Sequence, residues 1–572
     1  MRTFLSPNDL LGFEISDYIE LFAIIALALA IAVCALAPRW GKRIRPESRW
    51  WLLVFAALPI GLRLCLLPRS PAPIPSGADD FSYILLADTL RHFRLSNPAH
   101  DFPEFFEQVF VLQERTRSSM YPLGQGLILA FGWLVFGHPW AGVLLSVGAF
   151  CGACYWMLRA WISPSWALAG GLLAVLEFGP LSYWTNSYWG GAVSASAGCL
   201  VFGALPRIAN SRRLRNPALL GCGLSLQLLT RPFEFCFLVL SVPVFFFLTL
   251  PRPFDWTWAR RAAIVVSVPL FGAFALTLLQ NKRVTGNWAT LPYMLYRYQY
   301  GMPATLTFQP NPIPHRALSE EQDLAYRAQS AIHGTEPETP KAYLERLIFR
   351  IRFLRFFLLP PLYVAVIASL SCIRNRRLAW ILLTIGVFLL GSNFYPYFFP
   401  HYVAAIAGLF VLLSVIGIQR LDRATIGGRA LPLPLGSLIL LLCSVHFAFW
   451  FGVNGWATRY VRSALLPLEA WDYINYGDPQ GRIAVRDELE TLSGKKLVFV
   501  HYAPGHRFEE WVHNGAEIDA APVVLVHDLG PIANSKLLTY YRDRTAWLLE
   551  PDQSPPRLTR YVPALTGFQT VQ

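Results

Sequence analysis

The stretch SGADDFSYILLA, Ser76 to Ala87, carries two adjacent carboxylates, Asp79 and Asp80. They follow soon after an apolar segment that ends at Leu67; Tyr83 stands three residues beyond Asp80 and Ala87 four beyond that. Ionised groups so close to a membrane carry an energetic penalty and usually have work to do. A carboxylate there can take a proton, orient a partner group or meet a cation. A plainer role also fits, because an Asp at a helix start after a Pro/Gly turn caps the helix. Both roles can hold together, with one carboxylate fixing the backbone and the other facing a site. The two can also titrate as a coupled pair.

Other candidates lie at the borders of apolar segments. Arg231, in TRPFE, carries a guanidinium that matches a phosphate in a bidentate way, or it is a border arginine paired with Glu234. Arg63 and Arg297 are further cations, and Arg63 is placed to snorkel to the interface. His401, in PHY, is a donor to an anion or a structural ring. His501, His506, His513 and His527 fit no standard metal spacing. The Cys151/Cys154 pair lies inside an apolar segment with no second pair, so it reads as buried structure.

A membrane must position these residues. Of 572 residues, 54% are hydrophobic and 15% charged, and mean hydropathy is +0.39, which excludes an ordinary soluble domain. The 19 Trp, 23 Tyr and 40 Phe fit extensive interfacial belts. A net charge of +13 would fit a nucleic-acid partner, but the Lys and Arg cluster in short loops between apolar runs. That is the pattern of cytoplasmic loops, and nucleic-acid binding is set aside. Met1–Glu20 has one Arg against four acids, so it is not a secretory signal.

Taken in order, apolar runs at 21–37 and 51–67 flank the basic loop RWGKRIRPESR, which places Asp79 and Asp80 on the external face. Residues 68–120 form a long external loop, with a helix expected over 80–92. Further runs fall at 140–158, 166–181, 192–205, 218–229, 233–250, 262–280, 349–372, 378–390, 402–418 and 431–451. The run YPLGQGLILAFGWLVFG at 121–137 is short and begins beside a proline. If it dips into the outer leaflet without crossing, the basic loops at 207–215, 251–261, 373–377 and 419–429 all fall inside. Parity therefore predicts one re-entrant segment among about eleven spans. Residues 281–346 form a second external loop. The expected organisation is a helical membrane domain over 1–451 and a soluble-like α/β domain over 452–572 on the external face. In the latter, strands are expected at 496–501, 523–527 and 545–549 and a helix at 535–542. It has no Gly-rich phosphate loop.

The order of apolar helix, Arg, Pro/Gly turn, acidic pair, Tyr and Ala resembles the GT-C membrane glycosyltransferases. The nearest branches are the protein O-mannosyltransferase-like and the lipid A aminoarabinose transferase-like enzymes. The matching residues are Asp79, Asp80, Tyr83 and Ala87, and YPLG at Tyr121–Gly124 resembles the YPPL-type element of those enzymes. The second acid is Asp where the family usually has Glu, and the later loop TNSYWGG lacks the carboxylate often found there. The resemblance implies an inverting transferase that takes a sugar from a polyprenyl-phosphate donor to an acceptor hydroxyl on a lipid, glycan or protein. By the motif, Asp79 is the base; Asp80 orients it, binds sugar hydroxyls or meets a divalent cation. Arg231, with His401 and Arg63, would hold the donor phosphate. Tyr83, Tyr121, Asn186, Trp189, Tyr293 and Tyr296 would line the substrate site, although the tyrosines and tryptophans equally fit an interfacial belt. The resemblance places the site and the C-terminal domain on the periplasmic side of a bacterial inner membrane. The rival reading is a carrier that flips lipid-linked glycans. A carrier would place charges mid-helix and show paired inverted repeats. Here the ionisable residues gather at segment borders.

Overall fold

The computed structural model describes residues 47–249, 255–302, 305–334, 338–426, 429–430, 435–457, 481–506 and 510–562. The acidic N-terminus, the run at 21–37 and most of the first basic loop lie outside these residues. The membrane domain is built from α1 (Trp50–Cys65), α2 (Ala78–Arg91), α3 (Leu123–Phe136), α4 (Pro139–Leu158), α5 (Pro164–Phe178), α6 (Ala192–Asn210), α7 (Arg215–Thr230), α8 (Pro232–Thr249) and α9 (Trp256–Thr285). It continues through α10 (Pro292–Tyr300), α11 (Glu320–His333), α12 (Pro340–Ile351), α13 (Pro360–Ser369), α14 (Arg376–Ser392), α15 (Ala407–Asp422) and α16 (Leu435–Trp456). Among the described residues, six helices are long and apolar enough to cross a membrane. This is a polytopic helical membrane protein.

Small residues let its helices touch backbone to backbone, as membrane packing favours. A Cβ added at Gly142 in α4 would sit 2.1 Å from the Ile128 carbonyl oxygen of α3. That contact closes α3 and α4 into a tight hairpin, and α4 also packs on α1 and α6. The 14 residues of α3 span about 21 Å, short of a hydrocarbon core of ~30 Å. Length alone does not single out α3, since α1 and α5 have 16 and 15 residues.

The continuous run at 349–372 is not one straight helix. The chain turns by 111° between Pro340–Phe356 and Pro360–Cys372. Pro360 and Pro361 remove backbone donors at the start of α13, and the Leu359 N–H donates instead to Glu177 of α5, at 3.0 Å. Before the turn, the buried Arg350 donates to the carbonyl oxygens of Ser392, Tyr395 and Pro396. It thereby moulds the loop that leads to His401.

The C-terminal part holds α17 (Arg482–Thr491), β6 (Lys495–Val500), β7 (Val523–His527), α18 (Pro531–Tyr540), β8 (Arg544–Glu550) and β9 (Arg557–Arg560). Strands β1 (Asn97–Pro98), β2 (Val111–Leu112) and β3 (Thr116–Ser119) form a small sheet in the connection between α2 and α3, and β4 (Thr425–Ile426) and β5 (Arg429–Ala430) form a short hairpin. The C-terminal sheet has order β7-β6-β8-β9, with β7, β6 and β8 parallel and β9 antiparallel. The three expected strands and the helix between the last two are present; α17 and β9 are additional.

The C-terminal sheet does not complete its core alone. Phe105 and Phe106 of the connection between α2 and α3 are buried against Leu497, Phe499, Val524 and Val526. Arg117 of β3 donates to the carbonyl oxygens of Asn514 and Gly515, both at 2.6 Å. Asp88 of α2 accepts the Ala516 N–H at 2.5 Å, and Phe81 stacks on His513 with ring centroids 4.1 Å apart. The C-terminal domain is therefore bolted to the helix that carries the acidic pair. Replacing Arg117 by Met removes two charge-assisted bonds at a buried site. It should lower unfolding stability by about 1.5–3 kcal/mol and open the segment around 514–516 to protease, read by thermal unfolding and limited proteolysis in detergent.

Candidate active site

Helix α2 starts at a position that Gly77 caps with extended backbone (φ −108°, ψ 160°), so neither aspartate is the cap. Asp79 and Asp80 occupy its first turn, where free N–H groups and the helix dipole favour negative charge. The two side chains then part. Asp80 is 1% exposed. One oxygen accepts the Tyr188 N–H at 2.9 Å and the other accepts the Ser76 N–H at 3.2 Å. Burial pushes its carboxyl up to about 7, against the pull of those amides. With both oxygens engaged and no place in the cavity wall, Asp80 tethers α2 to the polar turn after α5. The expected acidic pair is thus one tether and one carboxylate at the cavity wall.

Asp79 lines a cavity of about 690 Å³. It accepts a hydrogen bond from the Tyr121 hydroxyl, and the Tyr121 ring stacks on Tyr83 with centroids 4.1 Å apart. Burial raises the Asp79 carboxyl above its ordinary range, while the Tyr121 bond and the Arg231 charge pull it back. Gln280 of α9 donates to the Tyr121 carbonyl oxygen at 3.0 Å and fixes that residue from the other side.

Arg231 lies at the C-terminal end of α7 and lines the same cavity. Its Nε donates to Glu234 at 3.0 Å, and its guanidinium sits 4.3 Å over the Tyr402 ring. Its two terminal nitrogens have no hydrogen-bond partner among the described residues. Arg231 is therefore paired with Glu234 and still presents a donor edge at the cavity wall. His401, beside Tyr402, also lines the cavity, as do Trp189 and Tyr293. Trp189 stands edge-on to Phe399 and His401, and the Tyr293 hydroxyl bonds that of Tyr395 at 2.5 Å.

Besides Asp80, three expected site residues lie outside the cavity wall. Arg63 is 1% exposed; its Nε donates to Asn186 Oδ1 at 2.8 Å and its terminal nitrogens to the Ser70 and Pro71 carbonyl oxygens. Asn186 also donates to Pro180 and Ser182 carbonyl oxygens. This pair latches the 181–191 turn to the end of α1 and does not reach the cavity. Tyr296 is fully buried, accepts the Phe110 N–H at 2.8 Å and stacks on Tyr300, so it joins the 281–346 segment to the connection between α2 and α3. Conversely, Gln280, Tyr395, Tyr397, Phe399 and Tyr402 line the cavity without having been singled out. The aromatic density of GSNFYPYFFPHY was the available signal.

A divalent cation does not fit the groups present. Among the described residues no three His, Cys, Asp or Glu gather as a metal-ligand set. The Asp80 oxygens are committed to amides, and Asp79 is left as a single oxygen donor beside a guanidinium.

Fold and site together define a class: a polytopic membrane protein with a carboxylate and a guanidinium in one aromatic cavity beneath an α/β domain. No protein-family model and no curated protein matches the sequence. Solved structures do. ArnT from Cupriavidus metallidurans bound to undecaprenyl phosphate superposes with a TM-score of 0.50 at 11% identity, covering 88% of this chain and 93% of that one. The archaeal oligosaccharyltransferase AglB from Archaeoglobus fulgidus, in complex with an inhibitory peptide and a dolichol-phosphate, gives 0.44 at 11% identity, covering 90% and 70%. The chain has the fold of the GT-C superfamily.

The division of labour in the acidic pair is measurable. Asp80→Ala leaves the buried Tyr188 amide and the half-buried Ser76 amide without an acceptor and should lower stability by about 2–4 kcal/mol in denaturant or thermal unfolding. Asp79→Asn, at the cavity wall, should change it by less than about 1 kcal/mol.

Proposed function

We propose that the protein is an inverting glycosyltransferase of the inner membrane that moves a sugar from a polyprenyl-phosphate donor to an acceptor hydroxyl on the periplasmic side. The observation that carries this is the shared cavity of Asp79 and Arg231. It joins a carboxylate and a cation, and apolar residues of α7 and α8, among them Leu228, Leu229 and Phe233, complete the wall. A base, a phosphate-binding donor and a path for a prenyl chain are the three parts such a reaction needs. The GT-C fold agrees with this, and the neighbouring ArnT structure contains undecaprenyl phosphate.

In this reading the acceptor hydroxyl enters beside Asp79 and attacks the anomeric carbon. Asp79 takes its proton as the new bond forms, and inversion follows from displacement in one step. The bond from the anomeric carbon to the phosphate oxygen breaks, and Arg231 meets the charge left on the phosphate. The aromatic wall of Trp189, Tyr293 and Tyr397 stacks on the sugar and excludes water. The acceptor is a lipid, glycan or protein hydroxyl that reaches the cavity beneath the C-terminal domain.

Asp79→Asn should reduce sugar transfer from polyprenyl-phosphate glycosides by at least about a hundredfold, while the protein still inserts and unfolds as the parent does. Full activity in that variant would defeat the proposal. The base must be ionised, so activity falls as pH drops through the raised Asp79 pKa. Tyr121→Phe removes a bond that holds this pKa down. Its pH–rate profile should show the acidic limb moved to higher pH.

A further inference from the structure

One aromatic residue is strained by the backbone and has nothing in the chain to rest on. Helix α2 is capped by His92, and the chain turns back as a Schellman motif. The Phe93 N–H donates to the Leu90 carbonyl oxygen at 2.9 Å, and the Arg94 N–H to that of Thr89 at 3.2 Å. This turn holds the residue after the cap in the left-handed region, where glycine is usual because a Cβ crowds the backbone. Here the position is Phe93, at φ 56°. Among the described residues Phe110 shares this strain, at φ 64°. Phe110 is buried; its N–H donates to Tyr296, its carbonyl oxygen accepts from Ser82, and its ring meets Tyr121 and Tyr296. Packing therefore holds Phe110 in place. Phe93 is 90% exposed, so no burial within the chain offsets its conformation.

The neighbouring helix shows what surrounds that ring. Both ends of α3 lie at the border that carries Asp79 and Arg231. At its start, a Cβ on Gly124 would touch Thr230 Oγ1 and Leu229 at the end of α7. At its finish the chain passes directly into α4, whose Trp140 donates to the Thr185 carbonyl oxygen in the polar turn that Asp80 tethers. Helix α3 thus runs along the border. On it Phe131, Leu134, Val135 and Phe136 are each more than half exposed, an apolar strip suited to lipid. Helix α2 lies against α3: Leu86 and Leu90 pack at Gly126, and the Arg91 guanidinium sits 4.1 Å over the Trp133 ring. Phe93 follows two residues later, at the end of α2 that lies by this strip.

We propose that Phe93 is an interfacial anchor whose ring inserts into the surface of the bilayer, with phospholipid as the partner it fits. Burial of the ring in lipid offsets the strain of the turn, which nothing else in the chain does. The strip on α3 continues the same surface, and Arg91 over Trp133 is the basic and aromatic pairing of a membrane border. That continuity favours lipid over a protein partner. The anchor bears on the cavity as well. Asp79 stands in the first turn of α2 and Phe93 just past its last, so the 14-residue helix is held at both ends, by the Asp80 tether and by the bilayer surface. The depth of Asp79 relative to the lipid is thereby set. The inference does not depend on the reaction that the cavity performs.

A photoreactive ring at the same position reads its surroundings. Phe93→p-benzoylphenylalanine keeps an aromatic side chain at an exposed site, so the fold is retained. The full-length protein is irradiated in the membranes of the expressing cells, and the peptide that carries residue 93 is analysed by mass spectrometry. Phospholipid adducts are the expected main product. A cross-linked protein as the main product, or no adduct, would overturn the proposal. Should that variant not be produced, Phe93→4-trifluoromethylphenylalanine decides by fluorine NMR in nanodiscs of phosphatidylethanolamine and phosphatidylglycerol. A nitroxide on the lipid acyl chain should broaden its signal several-fold more than the same concentration of a water-soluble gadolinium chelate. The reverse order puts the ring in water and sinks the anchor.

Discussion

The two amide hydrogen bonds to Asp80 are the constraint from which the site follows. The one from the Tyr188 N–H joins the first turn of α2 to the turn after α5, two pieces of chain more than a hundred residues apart, and the one from the Ser76 N–H holds the residues that lead into α2. Once that turn is fixed, the neighbouring Asp79 is turned into the cavity. Arg63 and Asn186 close the same junction from the far side, so a buried guanidinium and a buried carboxylate brace one loop without forming a salt bridge to each other. A polar network of this kind is stable because its members find partners. It is placed at the membrane border, where an unsatisfied group would be most costly.

Helix α2 then serves three neighbours at once. Asp79 and Tyr83 face the cavity, Leu86 and Leu90 pack on α3 near Gly126, and Phe81 and Asp88 hold the C-terminal domain. Only a 3.6-residue period can distribute a short segment among three surfaces in this way. The consequence is mechanical: the extramembrane domain and the proposed base ride on the same rigid element. The segment after α9 reaches the same place through Tyr296, whose hydroxyl holds the Phe110 amide of the connection between α2 and α3.

Much of the architecture was legible in the sequence because its signals are local. Apolar runs, basic loops and alternating strand patterns report their own segment, so the helical membrane domain and the strands at 495–500, 523–527 and 544–550 were readable. The 111° turn at Pro360 was less so, since hydropathy is blind to direction. The candidate site was legible in type more than in assignment. Arg63, Asn186 and Tyr296 had the right chemistry at the right border, but their partners are distant in the chain. Tyr402, Tyr395 and Gln280 looked like belt or span residues until folding set them around Arg231.

By itself the sequence determined that the chain lives in a membrane, that its ionisable residues gather at the borders, and that Asp79, Asp80 and Arg231 are the residues to watch. Composition and periodicity carry that much, because burial in lipid constrains every segment separately. Tertiary structure alone decided which of two adjacent carboxylates faces the cavity, because that depends on which backbone amides from elsewhere reach the other. It also brought Tyr183 against His401, a contact between residues more than two hundred positions apart in the chain.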